Sequence, residues 1–193
     1  MLELGLGPVH LCYGPGAGAT TLCLSISSTV LESGNRVLWI AREMPDPERT
    51  SQILDHLDEE ALMRLTLFEN RRGLSTSVTA TKSLVERLGG NDLLVIDDWC
   101  DRHGRARADD IEAVRELIGR GPECRVVITS AYVSEPVSNS STSGFSPRGG
   151  SSINESIRVV FLYDDGQNMG YRIIEDEGGY SRVFLTETGF VPS

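Results

Sequence analysis

The sequence predicts an α/β fold: a parallel central sheet flanked by helices, with antiparallel strands at the C-terminal end. Three observations predict it. Short runs of consecutive apolar residues alternate with segments whose apolar residues recur at helical spacing. That order suits parallel strands joined by right-handed helical crossovers and covered on both faces. A glycine-rich turn links the first apolar run to the first helical segment, and the last three strand-like runs are separated only by turn residues.

Residues 9–13 read as a short buried strand, followed by the turn Gly14-Pro15-Gly16-Ala17-Gly18-Ala19. Thr20 and Thr21 are expected to cap a helix that runs to about Ser33, where Gly34 stops it. Its apolar positions Leu22, Ile26, Val30 and Leu31 keep helical spacing. Residues 37–41 form a second strand. Pro47 opens the next helix, striped by Ile53, Leu54, Leu57 and Leu62. Residues 65–68 are a third strand, and Val78, Leu84, Val85 and Leu88 mark a helix ended by Gly89-Gly90. Residues 93–96 are a fourth strand, closed by Asp97-Asp98. Ile111, Val114, Leu117 and Ile118 mark another helix, and residues 125–129 a fifth strand. Eight of the 19 residues from 134 to 152 are serine, with Gly144, Gly149 and Gly150 among the rest, so this stretch reads as a flexible loop. Residues 158–163, 171–175 and 182–186 complete the sheet, separated by Asp165-Gly166 and Gly178-Gly179. No internal repeat is visible, and 193 residues suit a single domain over 1–193.

Composition narrows the function. With 39% hydrophobic residues there is material for one core. No apolar run approaches the ~20 residues that span a bilayer, and no basic-then-apolar leader opens the sequence. A cytoplasmic protein without membrane contact is expected. The net charge of −10 argues against a broad basic surface for DNA, so any nucleic-acid contact falls to a local loop. Cys12, Cys23, Cys100 and Cys124 form no C-x-x-C pair and read as reduced, mostly buried thiols. His10, His56 and His103 are scattered, each expected at the surface or a strand edge. Trp39 reads as core, and Trp99 as a core residue or plug.

Strand, glycine-rich turn and a helix opening with Thr-Thr is the layout of a P-loop. Glycines let successive backbone N–H groups point inward, and the helix N-terminus adds partial positive charge. Gly14, Pro15, Gly16, Ala17, Gly18, Ala19, Thr20 and Thr21 are therefore the candidate nucleotide-binding residues. The lysine that would neutralise the β- and γ-phosphates is missing. Ala19 stands in its place, or Thr20 in an alternative register, and Tyr13 stands where one alignment wants the first glycine. Weak ATP binding and weak or absent hydrolysis follow, since phosphoryl transfer is mostly electrostatic. Asp97 ends an apolar strand at the carboxyl edge of the sheet, where ligands bind in open α/β folds.

The chain resembles the RecA/RadA superfamily in several segments taken in order. Ile40-Ala41-Arg42-Glu43 followed by Asp46-Pro47-Glu48-Arg49 resembles the archaeal RadA/RadB pattern of a strand ending in glutamate before a P-E-R triplet. Residues 93–97 are similar to a Walker B strand. Pro147-Arg148-Gly149-Gly150 followed by Ser156-Ile157-Arg158-Val159 is similar to the second DNA-binding loop and its exit strand. The closing segment 184–190 resembles the T-E-x-G turn that ends the core. RadB-like recombinase paralogues fit best.

The resemblance implies a RecA-like P-loop core and a set of roles. Thr20 would be the Mg²⁺-side hydroxyl and Asp97 would orient Mg²⁺ through water. Glu43 would polarise the attacking water. Arg148, Gly149 and Gly150 would lie in a DNA-facing loop, with Arg102, Arg105 and Arg107 a first-loop patch. Asp98, Asp101, Asp109 and Asp110 surround those arginines, so a self-neutralised solvated loop is the alternative. Thr129-Ser130-Ala131 stands where the family has T-N-Q, so the glutamine that senses the γ-phosphate is absent. An accessory paralogue is implied, one that modulates a RadA-type recombinase or binds single-stranded DNA, with ATP and Mg²⁺ as weak ligands. The alternatives are a DNA-dependent ATPase completed by a partner and a KaiC-like regulatory module.

Overall fold

The computed structural model describes residues 4, 7–71, 73–119, 123–134, 144–177 and 179–193. In chain order the elements are β1 (Pro8–Tyr13), α1 (Ala19–Glu32), β2 (Val37–Ala41), α2 (Pro47–Leu54), α3 (Glu59–Leu62) and β3 (Leu65–Glu69). Then follow α4 (Leu74–Val85), β4 (Leu93–Asp97), α5 (Ala108–Gly119), β5 (Arg125–Ala131), β6 (Val133–Ser134) and β7 (Phe145–Ser146). The last are α6 (Ser151–Asn154), β8 (Arg158–Asp164), β9 (Tyr171–Asp176), β10 (Gly179–Thr186) and β11 (Gly189–Pro192).

Nine strands form one sheet in the order β11-β10-β9-β8-β1-β5-β4-β2-β3. The six strands from β8 to β3 run parallel, and β9, β10 and β11 continue antiparallel. β2 and β4 are buried along their whole length and the centre of β5 is buried too, as continuous apolar runs require when helices cover both faces. Alternation along each strand divides the core. Leu11, Trp39, Val95 and Val127 pack under Leu22, Ile26 and Val30 of α1. Leu38, Ile40, Leu94, Ile96 and Ile128 face the opposite side, with Leu74, Val114 and Leu117 of α4 and α5. Because β1, β5 and β4 are adjacent, their carboxyl ends lie side by side. The glycine-rich turn, Asp97-Asp98 and Ala131-Tyr132 therefore share one rim.

Several expectations are corrected. The helix expected over 47–62 is two helices: Asp46 accepts from the Arg49 N–H (2.8 Å) to cap α2, and Asp58 accepts from the Ala61 N–H (2.7 Å) to restart the chain as α3. Thr20 and Thr21 do not cap α1; Gly18 takes that position at φ 87°, with no side-chain cap. His10 is at neither surface nor strand edge but fully buried in the centre of β1. It is tolerated there because three groups satisfy its ring. Trp99 Nε1–H can only donate, so Nε2 is the acceptor (3.2 Å); the Ser130 hydroxyl donates to Nε2 as well (2.8 Å), and Nδ1–H donates to Asn154 Oδ1 (2.9 Å).

Of the stretch expected to be a flexible loop, residues 135–143 lie outside the described residues. In the remainder, β7 pairs with β6 and Ser151–Asn154 form α6. The four cysteines are buried and unbridged, and Trp39 and Trp99 are fully buried. Among the described residues no helix is long and apolar enough to cross a membrane.

Candidate nucleotide-binding site

The turn between β1 and α1 is built as a cradle. Gly14 N–H bonds Leu162 O (2.9 Å), and Ala17 N–H returns to Gly14 O (3.1 Å), closing the loop on itself. Gly16 (φ 68°) and Gly18 (φ 87°) adopt left-handed backbone that a side chain resists, and the space above Gly16 is open. The first turn of α1 has no side-chain cap, so its leading N–H groups face the turn. Pro15 and Gly16 are exposed, whereas Ala17 and Ala19 are buried.

Across the rim stand the carboxylates that end β4. Thr20 donates its hydroxyl to Asp97 Oδ2 (2.9 Å), and Thr129 donates to Asp97 Oδ1 (2.7 Å). Burial pushes the Asp97 carboxyl up to about 6, and neighbouring Asp98 pushes it the same way, against those two hydrogen bonds. Asp98 N–H bonds Thr129 Oγ1 (2.8 Å), and Tyr13 donates its hydroxyl to Asp98 Oδ1. Arg102 lies on Asp98 Oδ2 (2.8 Å) and 3.6 Å from Glu43 Oε2. A pocket of about 470 Å³ opens between these groups, with Thr20, Thr21, Glu43, Asp97 and Arg102 on its wall. Thr20, Asp97 and Glu43, read separately from the sequence, are thus brought together.

The donor set fits a magnesium–nucleotide. The turn and the α1 N-terminus would hold phosphate oxygens, and Thr20 with Asp97 would hold Mg²⁺. Bound there, the ion would screen phosphate charge from the carboxylates.

One wall residue escapes sequence reasoning beyond its place in the P-E-R triplet. Arg49 donates to the carbonyls of Thr186 (2.6 Å) and Glu187 and reaches Thr21 Oγ1 at 3.5 Å. The same β10–β11 turn is seated on α1 by Phe190 N–H bonding Ser25 Oγ (3.1 Å). Arg49 therefore fastens the C-terminal hairpin to the helix that leaves the cradle. Replacing Arg49 with alanine is expected to cost about 1–2 kcal/mol, because charge-assisted bonds to two carbonyls are lost at a half-buried site. Hydrogen exchange should then speed up at amides 183–191 while β1 and β4 stay protected; uniform exchange across the sheet would contradict this.

The residues expected to face DNA fall in three places. Arg102 joins the pocket. Arg105 and Arg107 are set apart from it, with Arg107 paired to Asp109 (3.7 Å). Arg148 is a tie: Nε donates to Ala131 O (3.0 Å) and its Nη groups donate to the carbonyls of Gly104 and Arg102. Gly149, at φ 91°, has no room for a Cβ against Ile153, and Gly150 starts α6 at φ 61°. Asn154 then bonds Arg148 O (3.1 Å) through Nδ2, joining this segment to His10.

No protein-family model matches the chain. A 48-residue stretch is 45% identical to DNA repair protein rhp55 of Schizosaccharomyces pombe, covering 24% of this chain and 14% of that protein. The RadB recombinase structure matches with a TM-score of 0.72 at 21% identity over 100% of both chains. A DnaB-like replicative helicase matches at 0.66 and 13% identity, over 96% of this chain and 58% of that one. The chain carries the RecA-like fold and is similar to the RadB recombinase along its whole length.

Proposed function

We propose that this chain is an accessory recombinase paralogue of the RadB kind, acting in recombination and DNA repair by binding a RadA-type recombinase, another paralogue or single-stranded DNA. The observation that carries the reading is the full-length structural match to the RadB recombinase. The local identity to a DNA repair protein supports the same process. Nucleotide with Mg²⁺ is a weakly held ligand of the turn in this reading, and turnover is slow or absent. Ala19 removes the lysine, and no glutamine follows β5 to report the γ-phosphate.

The test is to add the purified protein to a RadA-type recombinase assembling on single-stranded DNA. Co-purification with the recombinase and a several-fold change in assembly rate are expected. No association with recombinase or single-stranded DNA, at protein concentrations well above those of the assembly reaction, would overturn the proposal.

A further inference from the structure

The turn offers backbone N–H groups but no cation within its own sequence, and the two residues that break its expected pattern are Tyr13 and Ala19. Arg172 reaches the Gly16 carbonyl from β9 (3.3 Å) but is held by the Asp164 carboxylate (3.0 Å) and the Tyr171 carbonyl. The structure links Tyr13 to another arginine. The Tyr13 hydroxyl donates to Asp98 Oδ1, and Asp98 Oδ2 accepts from Arg102 Nε and Nη2, each at 2.8 Å. Asp98 is buried and sits at φ 54°, a left-handed conformation uncommon for any residue but glycine; its N–H is pinned by Thr129 Oγ1. Its carboxylate is therefore fixed in direction and fixes the guanidinium in turn. Arg102 keeps 53% of its side chain exposed and lines the same pocket as Thr20, Thr21 and Asp97. Arg49, the other arginine on this wall, is engaged with the Thr186 and Glu187 carbonyls.

We infer that Arg102, aimed by Asp98 and Tyr13, is the cation that meets the β- and γ-phosphates of a nucleotide in this pocket, delivered from the loop after β4 in place of the lysine missing from the turn. This inference rests on the nucleotide-site reading above. A guanidinium suits the task because its planar fork takes two phosphate oxygens at once while another edge stays on its anchoring carboxylate. The anchor also explains why the arginine is not lost to solvent when the pocket is empty. The carboxylates of Asp97, Asp98 and Glu43 outnumber it, so the phosphates arrive with Mg²⁺.

The test is calorimetric titration of Mg–ATP into the full chain and into Arg102→Gln, Arg102→Lys, Ala19→Lys and the double variant Ala19→Lys/Arg102→Gln, with thermal melts to confirm folding. Arg102→Gln is expected to weaken binding about tenfold or more. Arg102→Lys should recover part of the loss, and the double variant should recover most of it. Equal affinity of wild type and Arg102→Gln would overturn the inference and leave the nucleotide site standing. Binding by Ala19→Lys but not by wild type would also overturn it. No binding by either would remove the nucleotide-site reading itself, and the role of Arg102 with it.

Discussion

His10→Ala is expected to lower the unfolding free energy by about 3 kcal/mol at pH 7.5. The substitution takes the ring acceptor from the buried Trp99 indole N–H and Ser130 hydroxyl and the donor from the half-buried Asn154 Oδ1, and an unpaired buried group costs about 1–3 kcal/mol before any cavity is counted. The effect also depends on pH. Burial lowers the His10 pKa to about 4, against the hydrogen bond to Asn154, which raises it. A second proton would have to enter at Nε2, where Trp99 already points an N–H. Between about pH 6.5 and 4 the unfolded chain holds this proton and the native chain does not, so the stability His10 supplies is complete above 6.5 and lost as pH falls through that window. Urea titrations at pH 7.5, 6 and 5 should show the gap between wild type and variant narrowing toward acid. A gap that stays constant, or one below about 1 kcal/mol at pH 7.5, would mean the network is not holding the core.

Asp97→Asn should act in the opposite direction on stability. The native carboxyl titrates near 6 and the unfolded one near 4, so between those values the native state holds the extra proton. The stability that goes with it is present below about 4 and lost as pH rises through 6. Above that, the protein carries a buried charge at a cost of up to about 3 kcal/mol, one pKa unit being about 1.4 kcal/mol. Asparagine removes the charge and keeps an oxygen for Thr129, while the Thr20 hydroxyl turns to accept from the new amide. Thermal melts at pH 8 should show the variant more stable by about 1–3 kcal/mol, with no difference at pH 4. Mg²⁺-dependent nucleotide binding should fall about tenfold or more in the same variant. A variant less stable than wild type at pH 8 would show that Asp97 is a structural charge and not one kept for a cation.

These two residues also show how far the sequence can be read. Asp97 is legible because an acid that ends the apolar run 93–96 must sit at the carboxyl edge of a parallel strand, whatever the rest of the chain does. The cradle is legible because Gly16 and Gly18 mark backbone that other residues resist. His10 is not, because its partners are 89, 120 and 144 residues away, and a lone histidine in a strand gives no sign of them. The same distance hides Tyr13 from Asp98 and Arg49 from Thr186. Arg102, which the resemblance groups with Arg105 and Arg107, pairs with Asp98 four residues away, as the self-neutralised alternative has it, and only its contact with Glu43 is created by the folded rim. The break between α2 and α3 is obscured for a local reason: the apolar stripe continues through Leu57 to Leu62, and only the capping aspartate Asp58 marks the restart.

Arg148 has a mechanical consequence. One guanidinium bridges the carbonyls of Ala131, Gly104 and Arg102, so the end of β5, the loop after β4 and the segment entering α6 are riveted at a single point. The loop that carries Arg102 cannot be pulled outward without dragging the 147–154 segment along, and Asn154 passes that pull to the middle of β1. A pull on either loop is therefore carried through Arg148 and Asn154 to His10 in the middle of β1, the strand that leads into the glycine-rich turn.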